Sequence, residues 1–157
     1  MKTFSAAQVA RSIGMSPSAF AMKFARDDWR LFSNDRPENG HAHSFTLGQA
    51  MVYALARELA GCGFSSHDAF MIALFGLEQS SADAMTTGVG EIFNEARGRT
   101  YFAAYHEGTI GEFFFEDGKL SHLFSPFNDG SEKRRVTVID LTAIRDRMIA
   151  SLEGQSA

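Results

Sequence analysis

One cysteine, Cys62, is all that this 157-residue chain carries, so it can close no internal disulfide and build no cysteine-rich zinc site. That poverty of thiols suits a reducing cytoplasm. No apolar run approaches the ~20 residues that a helix needs to cross a bilayer. Residues Met1 to Ala10 lack the long apolar stretch of a signal peptide, so neither a membrane span nor a secretory leader is expected. There is no internal repeat and no low-complexity tract. A glycine-rich phosphate loop is missing as well. His106, Glu107, Glu112 and Glu116 are titratable, but they fall at strand edges and turns with no nucleophile beside them, so no enzymatic role and no cofactor are expected.

What is present reads as globular. Hydrophobic residues make up 45% and charged residues 22%, a composition that argues against disorder. Fifteen phenylalanines can supply a core, since each large aromatic buries roughly 150–250 Å². The length fits one compact unit or two small ones.

Ser5 with Gln8 forms a capping-box pattern that opens a helix over Ala6–Ile13, with Val9, Ala10 and Ile13 inward. Gly14 stops it. Ser16 then caps a second helix with Pro17 at its first position, expected to run to about Trp29 with Phe20 and Phe24 one turn apart. Residues Ser33 to His43 are rich in turn formers around Asn39-Gly40 and predict a small two-stranded wing. Thr46 with Gln49 opens a third helix through Leu59, ended by Gly61. Ser65 or Ser66 caps a fourth carrying Phe70, Leu74 and Leu77.

The polar stretch 79–89 reads as a linker, and Val89–Ala96 as one more short helix. Beyond Arg99 the pattern turns to strands: Tyr101–Tyr105, Glu112–Glu116, Lys119–Ser125 and Arg135–Asp140, with Asp117-Gly118 joining the middle two. Both faces of Glu112–Glu116 are apolar, which predicts that both are covered. Leu141–Leu152 closes the chain as a helix with Leu141, Ile144, Met148 and Leu152 on one face. The expected fold class is α+β: a winged helix-turn-helix over residues 1–78, then a small antiparallel-sheet plus helix unit over 90–157.

The net charge of −4 is unevenly spread. Residues 1–36 hold six Lys/Arg against three Asp/Glu, net +3; residues 37–98 hold two against seven, net −5; residues 99–157 hold seven against nine, net −2. Positive charge gathers where a DNA-reading element would sit, and phosphates respond to local charge. A helix-turn-helix also needs a small residue where its helices cross, four positions before the turn glycine, and Ala10 and Gly14 meet that spacing. The first helix then braces the second, whose N-terminal end faces the major groove. Residues expected to contact DNA are Arg11, Ser16, Ser18, Ala19, Met22, Lys23 and Arg26, with Arg36, His41 and His43 on the wing.

The stretch AAQVARSIGMSPSAF resembles the opening helix-turn-helix of MerR-type winged-helix regulators. NGHAHSFTLGQAMVYALARELAGCGFSSHDAFMIAL is similar to their wing and the two helices after it, with Gly63-Phe64-Ser65 matching the turn before the last. The resemblance covers about residues 3–78 and implies double-stranded DNA binding in transcriptional control. Departures are plain. Ala21, Met22 and Lys23 stand where the family has an arginine and two aromatics, and His41 or His43 replaces the wing arginine. The long dimerisation helix and metal-binding cysteines are missing, so metal sensing is not implied.

The expected function is therefore a cytoplasmic, sequence-specific transcriptional regulator of bacterial or prophage type, homodimeric through residues 90–157. Two rivals stay open: a phage or bacterial assembly factor that uses the helical unit against a protein, and a sensor that encloses a small-molecule effector near Tyr101, Phe113 and Phe115. The His41-x-His43 pair lacks an acidic or cysteine partner for a metal, and Cys62 reads as inert buried packing. The run Lys133-Arg134-Arg135 reads as a solvated stretch leading into a strand.

Overall fold

A computed structural model describes residues 3–26, 29–31, 43–78, 93, 95–108, 110–118 and 135–154. The fold is α+β. Five α-helices and two small antiparallel sheets are present among the described residues. No described helix is long and apolar enough to cross a membrane.

The first half is organised by local caps. Strand β1 (Phe4–Ser5) leads directly into α1 (Ala6–Ser12), where Ser5 and Gln8 satisfy each other's backbone amides in a capping box. Gly14, at φ +69°, reverses the chain so that the Met15 amide returns to the Ala10 carbonyl at 2.9 Å. Helix α2 (Pro17–Ala25) starts on Ser16, whose side chain accepts the Ala19 amide. Strand β2 (Ser44–Phe45) runs antiparallel to β1, with Phe4 opposite Phe45. It feeds α3 (Leu47–Gly61), opened by a second capping box between Thr46 and Gln49. Helix α4 (Ser66–Glu78) follows, with the Ser65 hydroxyl oxygen accepting the Asp68 amide.

The second half is a three-stranded sheet in the order β4-β3-β5, made from β3 (Thr100–Tyr105), β4 (Ile110–Phe115) and β5 (Val136–Asp140). Helix α5 (Leu141–Gly154) leaves β5 at once, its first turn capped by Asp140, which accepts the Ala143 amide at 2.9 Å. Arg99 pairs with the same carboxylate at 2.6 Å, and the Thr142 hydroxyl oxygen accepts the Thr100 amide at 2.8 Å, so strand and helix are locked at their junction.

One hydrophobic core joins the two halves. The buried face of α5 (Leu141, Ile144, Met148 and Leu152) lies in the same cluster as Val9 and Ala10 of α1 and Leu55 and Leu59 of α3. Helix α4 is apolar almost all round because it is sandwiched between α3 and strand β4. The sheet meets α4 through Phe102, whose ring occupies the space left by two glycines. A Cβ on Gly76 would stand 2.5 Å from that ring, and one on Gly111 2.3 Å. On the opposite sheet face Ala103, Tyr105 and Phe114 are also buried, so aromatics are covered on both sides of β4. A second aromatic group, Phe20, Trp29, Phe45, Tyr53 and Phe70, holds α2 to α3 and α4 by edge and stacked contacts.

Several expectations are corrected. Helix α2 ends at Ala25, short of Trp29, because the Trp29 indole is buried and donates to the Ser66 carbonyl at 3.1 Å. Gly61 closes no helix by itself. Gly63 does so at φ +98°, with its own amide on Ala60 and the Phe64 amide on Leu59. Cys62 is exposed, contrary to the expectation of a buried thiol. Ser44–Phe45, just past the expected wing, pairs with the N-terminal strand, and residues 33–42 of that wing lie outside the described residues. Of that wing only His43 is described. Of the helix expected over Val89–Ala96, Phe93, Glu95 and Ala96 are described, the last two within a short 3-10 turn over Glu95–Arg97. The linker 79–89, the strand Lys119–Ser125 and the run at Lys133-Arg134 lie outside the described residues, although the Gly118 amide returns to the Phe115 carbonyl at 2.8 Å as a tight turn requires.

Candidate nucleic-acid interface

Helix α2 is held from behind and open in front. Phe20 is buried and its ring meets Phe24 at 5.2 Å and Tyr53 at 5.0 Å, fixing one face of the helix to the core. Pro17, Ser18, Ala21, Met22, Ala25 and Arg26 are exposed on the other. Short side chains at 18, 21 and 25 leave the backbone of this face accessible to close approach. Met22, 53% exposed, is its one large apolar group.

The expected contact residues divide into three groups. Arg11, Ser16, Ser18, Met22 and Arg26 are exposed. Ser16 is nonetheless occupied, since its hydroxyl oxygen accepts the Ala19 amide at 3.1 Å and lies 3.1 Å from the Ser18 hydroxyl. Ala19, Lys23 and His43 are only half-exposed. Lys23 departs most from expectation: its Nζ donates to the Ser66 hydroxyl at 2.6 Å and sits 5.6 Å from the centre of the Trp29 ring, so it holds α2 to α4. The His43 ring packs 5.3 Å from Phe24 and 6.1 Å from Phe45, joining the aromatic group in place of a solvated wing. Arg36 and His41 lie outside the described residues.

Arg11, in the last turn of α1, and Arg26, at the end of α2, are thus the exposed cations of these two helices among the described residues. Two further cations near Arg11 escape sequence reasoning. Arg57 on α3 and Arg147 on α5 line the same groove as Arg11, and Arg147 pairs with Glu58. Arg57 is the exposed residue that follows a run of buried ones, Ala50–Ala56. That interruption marks a solvent face but not the neighbour across it.

Elsewhere the titratable groups serve packing. Burial and a hydrogen bond from its hydroxyl to Glu112 push the Tyr105 phenol up. Burial, then the neighbouring Arg135, hold His106 below the ordinary imidazole value. The His106 ring stacks on Phe64 at 4.0 Å, and its Nε2 lies 2.8 Å from the Thr137 hydroxyl. Among the described residues no group of three His, Cys, Asp or Glu is placed to hold a metal ion. No protein-family model matches the chain, and no curated protein matches its sequence.

Proposed function

We propose that this protein is a sequence-specific double-stranded DNA-binding regulator of transcription, acting in the cytoplasm as a homodimer. The observation that carries the reading is α2 itself: a capped helix braced by α1 across the left-handed Gly14 turn, with its outer face exposed and Arg26 exposed at its C-terminal end. In this reading the Ser18 end of α2 enters the major groove. The small side chains at 18, 21 and 25 allow close approach, while Arg26 meets a phosphate at the end of the helix. Ser18 supplies a hydroxyl and Met22 an apolar surface for a thymine methyl. A modest local charge suits a dimer, in which two weak modules read two half-sites. Reversing charge at Arg26 (R26E) tests the reading: retention of duplex DNA should fall with no change in thermal midpoint, and unchanged retention would remove α2 as the reading helix.

A second reading, a protein-binding or assembly factor, is favoured by one observation. Met22 with Ala21 and Ala25 gives α2 an exposed face that is more apolar than basic. A protein partner would take Met22 as its anchor, and M22E would then abolish co-purification of that partner while leaving any DNA retention intact.

A further inference from the structure

The groove between α1, α3 and α5 is separate from the outer face of α2 and has a chemistry of its own. It has a volume of about 360 Å³, within the range of sites that take small organic molecules. Arg11 from α1, Arg57 from α3 and Arg147 from α5 converge on it, and Glu58 is the acidic residue among its lining. Glu58 is engaged with Arg147. Among the described residues neither Arg11 nor Arg57 is in an ion pair. The lining therefore carries a net charge of +2, three arginines less one glutamate, in a chain whose net charge is −4. With Arg147 neutralised by Glu58, the guanidinium groups of Arg11 and Arg57 are the ones left without an ion partner in the groove, and an anion between them would lower their mutual repulsion. The floor is different: Met148 and Ala54 are buried there, and Ile13 is half-buried. The Ser12 hydroxyl is turned away, donating to the Val9 carbonyl at 2.7 Å, so it does not compete for the guanidinium groups.

We propose that this groove binds a small organic anion whose phosphate or carboxylate sits between Arg11 and Arg57 and whose apolar body lies over Met148 and Ala54. Planar guanidinium forks match both oxyanions in bidentate geometry, and an apolar floor selects a ligand with a body over a bare ion. The groove also includes Ile13 and Gly14 of the α1–α2 turn and Met148 of α5, so its occupant touches the helix pair and the C-terminal helix together. The proposal does not depend on DNA binding.

Phenyl phosphate is the probe, titrated into the full chain by calorimetry, with inorganic phosphate and benzyl alcohol as separate arms. Binding of one phenyl phosphate per chain is expected, with inorganic phosphate weaker and benzyl alcohol silent. R11Q and R57Q remove exposed side chains and should leave the thermal midpoint in place. Each should weaken phenyl phosphate about tenfold, the loss of one charge-assisted pair. No heat with phenyl phosphate, or equal affinity in the R11Q/R57Q double variant, overturns the site. Displacement of phenyl phosphate by an unrelated duplex at equal phosphate concentration would assign the groove to the nucleic-acid backbone, and would overturn the small-ligand assignment as well.

Discussion

Lys23 donates from its Nζ to the Ser66 hydroxyl at 2.6 Å and so ties the last turn of α2 to the first turn of α4. The Trp29 indole donates to the Ser66 carbonyl, and the Tyr53 hydroxyl donates to the Trp29 carbonyl, extending the tie into the core. A residue that reads from sequence as a DNA contact is thereby a positioning residue for the helix that carries it. K23A should lower stability by about 1 kcal/mol, the net value of one partly buried hydrogen bond, measured as a shift in urea midpoint. R26E, on an exposed and unencumbered position, should stay within about 0.5 kcal/mol of the parent. Equal midpoints for K23A and the parent would mean that the Lys23–Ser66 contact does not hold α2.

The seat of Phe102 makes a sharper demand. Its ring fills the space beside Gly76 and Gly111, so G76A or G111A forces overpacking between α4 and the sheet. Each should cost about 1–3 kcal/mol. The cost of G76A should shrink in an F102L background, where the ring is gone. A G76A variant as stable as the parent would contradict this packing.

His106 sets a pH dependence whose sign follows from its surroundings. Its imidazole is held below its ordinary value of 6.5, chiefly by burial and then by Arg135, with Glu107 acting in the opposite sense. The unfolded chain therefore takes up the proton first as pH falls. Stability from this group is complete above pH 6.5 and declines below it, before carboxylates titrate near pH ~4. Thermal midpoints between pH 7.5 and 5 should fall for the parent and fall less for H106N. Parallel curves would remove His106 as the cause.

The shared core bears on truncation. Ending the chain after Gln79 removes Phe102, Leu141, Ile144, Met148 and Leu152, all buried against the first half. The fragment should lose cooperative melting by circular dichroism, because uncovering α1, α3 and α4 removes several large side chains, each worth roughly 1.5–3 kcal/mol on burial. A sharp transition near that of the full chain would show that residues 3–78 fold without the sheet and α5.

Local chemistry made much of this fold legible in the sequence. Both capping boxes, Ser5/Gln8 and Thr46/Gln49, form as their spacing predicts, and α5 buries the four residues that its period selects. These features depend on neighbours within four residues. What was not legible is long-range. The pairing of β2 with β1 brings together residues some forty apart, and nothing around Asn39-Gly40 signals it. Lys23 and Ser66 are 43 positions apart, and either reads alone as a surface group. Arg57 and Arg147 face Arg11 only because α5 crosses α1 and α3, a packing that a helical period cannot specify. At the candidate interface, the capping by Ser16 and the exposure of Ser18, Met22 and Arg26 agreed with the local pattern of α2, while the tie of Lys23 depended on a hydrogen bond to a distant residue that no pattern encodes.

The most direct test of the central claim is selection of bound duplexes from a random library by the full chain, with affinity for the enriched duplex followed across salt concentration. A palindromic motif with half-sites about one helical turn apart, a steep fall of affinity with salt, and loss of the enrichment in R26E are expected of a dimeric regulator that reads DNA through α2. Recovery of unenriched sequences at every salt concentration would contradict it, and would leave the exposed face of α2 to a protein partner.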